Sequence, residues 1–373
     1  MAGIYIHIPF CKQACNYCDF HFSTSLQQSV PLFNALLKEI ILRKDYLTEP
    51  VDTIYLGGGT PSLVEPNWIV QLINALQQQF IIARDAEITL EANPDDINKT
   101  KIAAWHAAGI NRMSVGIQSF HPHLLSWMNR AHRAEQSLNS IELLQEGGFD
   151  NISIDLIYGC PNQTDAEWKE DMNRAIALGV QHLSCYALTS EPKTALWHHI
   201  EKGVTPEINS DQQANQFLQL MEHMEAAGYE QYEISNFSLP NYRSRHNSAY
   251  WKGIPYLGIG PSAHSFNGIA REWNINNNSR YIDSIVAGKI PASKEVLTSK
   301  QQFNEYVMTA LRTRDGISLN QVRELWGAEV EEKLRYEVQK WAMQGLLTEK
   351  NQHILLTTGG KLMADGIAAD LFH

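Results

Sequence analysis

Three cysteines, Cys11, Cys15 and Cys18, fall within the eight-residue stretch CKQACNYC, and only Cys160 and Cys185 follow in the rest of the chain. Thiolates are metal ligands. A structural zinc site is closed by four ligands, so these three would need His7 or His21 as the fourth. Covalent haem attachment through CxxCH is excluded, because Asp19 follows Cys18. The alternative is a [4Fe–4S] cluster, which usually takes four thiolates. Held by three, it keeps one iron open for a small ligand, as a catalytic metal does.

Other polar groups recur at the ends of apolar runs. GGGTP at 57–61 closes one run; glycines there let backbone approach a ligand closely. Glu91 lies in EANPD, Gln118 in GIQSF, Arg130 in MNRAH and Asp155 in SIDLIYG. Open α/β sheets bind ligands at the C-terminal ends of their strands. Any one of these residues alone reads as a strand-end cap or an ion-pair partner. Cys160 and Cys185 sit in apolar contexts and read as core, where free cysteine behaves as a small hydrophobe.

The elements that must position these groups follow from periodicity. Strands are expected at 4–10, 51–59, 86–94, 112–119, 151–159, 182–189 and 229–237. Helices are expected at 31–47, 66–80, 99–109, 134–148, between 159 and 182, and near 210–227. Gly109 reads as the residue just past a helix end. The alternation predicts a parallel sheet with crossover helices. About six such units leave open doubly wound and partial-barrel sheets as alternatives. Near residue 290 the rhythm becomes helix, helix, helix, short hairpin, helix, which resembles a winged helix. We therefore expect one domain over 1–285 and a small helical, winged-helix-like domain over 290–373. Residues 291–373 carry ten Lys+Arg against eleven Asp+Glu, and the whole chain has a formal charge of −11. Both disfavour nucleic-acid binding, which needs excess positive charge. No run of eighteen apolar residues, no signal peptide and few, unpaired cysteines predict a cytoplasmic protein.

CxxxCxxC directly after a first strand, with Tyr17 before the last cysteine and GGGTP after the second strand, resembles the radical S-adenosylmethionine (SAM) superfamily. The resemblance implies an α/β fold, a partial (β/α)6 barrel. It implies a [4Fe–4S] cluster on Cys11, Cys15 and Cys18, with SAM chelating the open iron. It also implies a SAM pocket lined by Tyr5, Tyr17, Gly58, Gly59, Thr60, Glu91, Gln118, Arg130 and Asp155. SAM cleavage at a reduced cluster would yield a 5′-deoxyadenosyl radical; the cofactor brings that chemistry and the protein orients it.

YIHIPFC and GGGTPS resemble, over nearly the whole chain, the coproporphyrinogen III dehydrogenase group. Its decarboxylase branch carries a fourth cysteine two residues after the third and a substantial segment before the motif. Here Phe20 stands at that position, and only ten residues precede Cys11. Both features resemble the other branch, the HemW haem chaperone family, as does RHNSAYW, which contains that branch's HNxxYW. The resemblance implies haem binding by His246, Asn247, Tyr250 and Trp251. Imidazole is a known axial ligand of haem iron, and the two aromatics offer flat apolar surface. His264 in GPSAHSF is a further candidate ligand. A chaperone must release its cargo, so an exposed haem site near His246 is expected. The implied partners are haem and a haem-accepting protein, by preference a membrane haem enzyme that would draw the chain to the membrane periphery. Cluster and SAM are then expected to control dimerisation or transfer. Oxygen-independent coproporphyrinogen III oxidation and anaerobic haem degradation by a radical SAM methyltransferase are the enzymatic alternatives. Plain haem storage is the non-enzymatic one.

Overall fold

The computed structural model describes residues 1–373. Six strands, β1 Ala2–Ile8, β2 Val51–Gly58, β3 Ile82–Ala92, β4 Arg112–Gln118, β5 Ile152–Tyr158 and β6 His182–Ala187, lie side by side in chain order. Every neighbouring pair among them is parallel. The crossovers are α1 Ser29–Leu42, α2 Pro66–Gln79, α3 Lys99–Ala107, the pair α4 Pro122–Trp127 and α5 Ala134–Glu146, and α6 Asp165–Ala177. Local chemistry sets their ends. Asn98 caps α3 by accepting from the Lys101 N–H, and Thr164 and Glu167 form a capping box on α6. Gly109 sits just past α3 at φ +89, as its sequence position predicts.

Strand alternation divides the sheet into two unlike faces. Ile4, Ile6, Ile54, Leu56, Leu90, Met113, Val115, Ile154, Leu156 and Leu183 are buried in one hydrophobic core that also contains helix residues such as Leu36, Leu72, Trp105, Leu144 and Trp168. Cys185 belongs to that core and Cys160 to a smaller apolar cluster, so both are structural, as expected. The opposite face carries Tyr55, Glu91, Arg112, Ser114, Asp155, Ser184 and Tyr186, which surround a cavity. The sheet thus wraps a polar lumen inside an apolar shell. It remains an open, partial barrel, because its outermost strands never meet.

Both flanks are extended. After α7 Ala195–Glu201 and α8 Ser210–Ala226, β7 Glu230–Glu233 and β8 Asn236–Ser238 form an antiparallel hairpin beside β6. A single strand was expected at 229–237. The Glu233 carboxylate accepts from the Ser235 N–H (3.0 Å) and Asn236 Nδ2 (2.7 Å), which fixes a turn there instead. On the other flank α9 Arg245–Trp251 leads into β9 Tyr256–Ile259, parallel to β1. An antiparallel meander continues through β10 His264–Phe266, β11 Ala270–Asn274 and, after α10 Asn278–Val286, β12 Ala292–Val296. One buried network binds this flank to α1: Arg43 pairs with Glu39 and Glu272, while Asn274, Tyr281 and the Gly260 N–H also donate to Glu39.

The chain ends in a second, separate core containing Phe303, Val307, Leu319, Val322, Leu334, Ile354 and Ile367. Around it stand α11 Ser299–Leu311, β13 Ile317–Ser318, α12 Leu319–Trp326, α13 Ala328–Met343, the hairpin β14 Leu347–Lys350 and β15 His353–Leu356, α14 Thr358–Lys361 and α15 Ala364–Asp370. This is the winged-helix-like order read from the sequence. It docks on the β7–β8 hairpin. The Ile234 N–H donates to the Arg312 carbonyl, the Arg314 N–H to the Tyr232 carbonyl, and the Arg312 guanidinium pairs with buried Glu233. No helix is long and apolar enough to cross a membrane.

Candidate functional site

The lumen opens towards the cysteine loop that follows β1. A cavity of about 490 Å³ is lined there by Cys11, Cys15 and Cys18, by Gly58, Gly59 and Thr60 after β2, and by polar side chains of β3 to β6. The GGGT segment packs on the backbone ahead of Cys11: the Gly59 N–H donates to the Ile8 carbonyl and the Thr60 N–H to the Phe10 carbonyl. A Cβ on Gly59 would lie 2.7 Å from the Phe10 oxygen, and one on Gly58 would strike the His7 ring. Gly58 also has φ +112, which side-chain-bearing residues rarely adopt. Glycine is therefore required for this close approach.

Two chains of hydrogen bonds fix the remaining side chains. Glu91 accepts from the Tyr55 hydroxyl (2.7 Å) and from the Gly58 N–H (3.1 Å). Burial raises its pKa to about 7 against those two donors, and burial likewise raises Asp155 to about 6. A cation or hydroxyl placed beside either carboxylate would favour its charged form. On the other wall, Arg130 donates to Asn93 Oδ1 and the Gly116 carbonyl, both at 2.7 Å, and to Cys15 Sγ (3.3 Å) and the Tyr17 hydroxyl (3.4 Å). Asn93 donates to Thr60, whose hydroxyl donates to Cys11 Sγ at 3.6 Å. Burial of Arg130 opposes its charge, but Tyr17 and Cys15 hold its pKa above the ordinary value. Gln118 reaches the cavity from a backbone with φ 68, uncommon for a residue other than glycine.

Three thiols on one loop facing an open cavity are a donor set that a [4Fe–4S] cluster fits. No three or more His, Cys, Asp or Glu side chains are gathered closely enough for one metal ion. Of the two candidate fourth zinc ligands, His7 has both ring nitrogens engaged, whereas His21 keeps Nδ1 free. His7 Nδ1 accepts from Tyr5, its Nε2 donates to the His21 carbonyl, and His21 Nε2 donates to Asn278. Burial raises the thiols of Cys11 and Cys18, the latter to about 12. An electropositive group must therefore offset that cost before they ionise, and Arg130 is the protein's own contribution. A [4Fe–4S] cluster held here by Cys11, Cys15 and Cys18 would supply an open iron and an electron. Glu91, Gln118 and Asp155 would then be the chain's own groups facing a ligand at that iron.

Of the expected SAM-pocket residues, Tyr17, Gly58, Gly59, Thr60, Glu91, Gln118, Arg130 and Asp155 line this cavity. Tyr5 does not; it stacks behind Tyr55 at 6.0 Å between ring centroids. Tyr55, Asn93, Arg112, Ser114 and Ser184 complete the wall or its support and were not singled out from sequence. The two-residue step from Tyr55 to Gly57 and from Ser114 to Gly116 is the signal that places them on this face. Phe20, where a fourth cysteine would stand, is 68% exposed at the cavity rim.

The HNxxYW stretch departs from expectation. It forms α9, which packs across the lumen near the N-terminal ends of β1 and β2. His246 is 2% exposed, not at an open site. Its Nδ1 bonds Thr53 Oγ1 and its Nε2 the Tyr250 hydroxyl, both at 2.8 Å, and its ring stacks on Tyr55 at 5.0 Å. Its backbone N–H donates to Glu87. Burial, then Arg112, lowers its pKa to about 3. Both ring nitrogens are thus already engaged. Asn247 faces the lumen, whereas Trp251 lines a second cavity on the other side of α9. His264 lies apart from both, beside Trp273.

Residues 5–175 match the family model described as Radical SAM superfamily, and residues 297–363 match HemN C-terminal domain. The chain is 34% identical over 98% of its length to "Heme chaperone HemW" of Bacillus subtilis, covering 98% of that protein. It is 33% identical to the protein of the same name from Mycobacterium tuberculosis strain ATCC 25618 / H37Rv, over 99% of this chain and 94% of that one. Among solved structures, coproporphyrinogen III oxidase (HemN) from Escherichia coli superposes with a TM-score of 0.86 at 23% identity, covering 100% of this chain and 90% of that one, and so shares the fold. The chain belongs to the HemW family of the radical SAM superfamily.

Proposed function

We propose that this chain is a haem chaperone of the radical SAM type. It binds a [4Fe–4S] cluster on Cys11, Cys15 and Cys18, SAM in the lumen beside it, and haem against the HNxxYW helix, and it passes haem to an acceptor protein. Full-length similarity at 34% identity to a protein named as a haem chaperone carries this reading. Phe20 supports it, because no fourth thiol is available where the decarboxylase branch has one. In the lumen Glu91 receives the SAM amino group, Arg130 and Gln118 its polar backbone, and Asp155 its ribose; Tyr5 acts from behind Tyr55. Trp251 supplies flat apolar surface for haem, while His246 and Tyr250 set the helix that presents it. The acceptor is a haem-requiring membrane enzyme met from the cytoplasmic side, and cluster and SAM control transfer or dimerisation.

The test is anaerobic reconstitution followed by haem titration, with coproporphyrinogen III assayed on the same sample and haem transfer to an apo-acceptor measured next. Stoichiometric haem binding, transfer and no decarboxylation are expected. Protoporphyrinogen formation without haem binding would make the chain a decarboxylase. Haem binding that never leads to transfer would make it a store.

A further inference from the structure

The second cavity, of about 470 Å³, lies between α9 and the C-terminal domain. That volume is in the range of about 300–1,000 Å³ usual for small-molecule and cofactor sites. Its walls combine flat aromatic surface with a cationic rim. Trp251, Tyr232 and Tyr306 supply the first; Arg243, Arg245 and Lys252 supply the second, and the carboxylates of Asp52 and Asp315 also reach the lining. Arg243 and Arg245 are braced by Glu230 and by Asp85 and Asp52, whereas Lys252 has no ion-pair partner. From the C-terminal domain comes His353, on the wing strand β15, opposite Ser318 of β13. Its Nδ1 donates to the Asp315 carbonyl at 2.7 Å. That bond fixes the tautomer and leaves Nε2 as the lone-pair nitrogen, with no protein partner. Metal-ligating histidines are held in this way: one ring N–H on a backbone carbonyl, the other nitrogen free for the metal.

We infer that this cleft is the haem site, with His353 Nε2 as the axial ligand of the iron, the ring lying against Trp251, and the propionates meeting the cationic rim at Lys252. The inference rests on the haem-binding reading above and adds the site and the ligand. An iron porphyrin with two carboxylates matches the three features on the page: a free imidazole nitrogen, aromatic walls and cations at the edge. Both nitrogens of His246 are already engaged inside the protein, so the motif acts through its outer face, Ser248, Ala249 and Trp251, with Lys252 following at the helix end. The cleft lies between the sheet and the C-terminal domain, so the ligand and the macrocycle's wall come from different units.

The experiment uses the full chain titrated with haemin and followed by absorption spectra. His353→Ala is expected to lose the histidine-ligated spectrum and to bind roughly tenfold more weakly or worse. Added imidazole should restore the spectrum, since the vacated space and the rest of the cleft remain. Ser248→Trp fills the cleft from the α9 side without altering His353, and should weaken haem binding while the cluster spectrum stays unchanged. A wild-type spectrum and affinity in His353→Ala would overturn the assignment while leaving haem binding intact. Failure of the wild-type chain to bind haem would overturn the functional reading itself. Should His353→Ala misfold, unchanged affinity in Ser248→Trp would overturn the cleft.

Discussion

Cys11 accepts only the long bond from Thr60, and it stands on a loop rather than in the core. Cys11→Ala should therefore abolish the cluster's absorption after reconstitution. Its far-UV circular dichroism should be unchanged and its stability within about 1 kcal/mol, as for substitutions away from packed or networked sites. Global unfolding of this variant would contradict the loop's placement. Glu91 makes a different prediction, because its pKa is raised to about 7. A cationic amino group binds the ionised carboxylate, so SAM affinity should rise as pH increases towards 7 and fall again above about 8, where an α-amino group loses its proton. Glu91→Gln should bind weakly at every pH and lack the rise between pH 6 and 7 by calorimetry. His246→Ala removes a stacked ring and bonds to Thr53 and Tyr250, all buried. It should cost about 2–4 kcal/mol in urea unfolding, the range for a large buried side chain that also leaves polar partners unpaired. The folded variant should still show the histidine-ligated haem spectrum.

Among the elements, the link from α1 to the meander is the most exposed to a single change. Glu39 is fully buried and takes bonds from Arg43, Asn274, Tyr281 and the Gly260 N–H. Glu39→Ala leaves Arg43 buried with fewer partners and should destabilise the protein by about 3–5 kcal/mol. Thermal unfolding would check this; a loss under 1 kcal/mol would mean the network is not needed. The legibility of the elements follows the same physics. The six parallel strands and their crossovers were readable because each apolar run is long and ends in glycine or a polar cluster. The winged-helix order of the C-terminal segment was readable from helical spacing alone. Pairing by side chains was not: the turn that divides 229–237 depends on Glu233, which looks like any acidic strand residue. Within the site, the cysteines, glycines and strand-end carboxylates stood out by type. Tyr55 and Arg112 did not, since only the two-residue step of a strand already placed in the sheet turns them into the lumen. The burial of His246 is not legible for a related reason: periodicity says nothing about which cavity a helix turns towards.

For the whole molecule, acid is the sensitive direction. Burial lowers His7 and His132 to about 4 and His246 to about 3, and lowers His182 well below its ordinary value. A histidine with a folded pKa below its unfolded value near 6.5 takes up its proton on unfolding. Its contribution is complete above 6.5 and is lost as pH falls through the folded value. Glu91 and Asp155, raised to about 7 and about 6, act oppositely: their burial favours the folded state at low pH and costs stability as pH rises through those values. Asp171, also raised to about 6 by burial, acts with them; the four histidines outweigh these three carboxylates, so the apo-protein's urea midpoint should fall between pH 6.5 and 4.5, and His246→Gln should flatten part of that slope. A midpoint that rises on acidification would show that the carboxylates dominate.

The seven residues of α9 have a neighbour on each side. Asn247 lines the lumen, while Ser248, Ala249 and Trp251 line the cleft against the C-terminal domain. The helix is thus a party wall between two rooms, and Thr53, Tyr55 and Glu87 pin it from the sheet through His246. A wall this thin, packed at interior density, moves as one piece. A ligand in one room that shifts this wall should change affinity in the other, and by linkage the two effects would be equal.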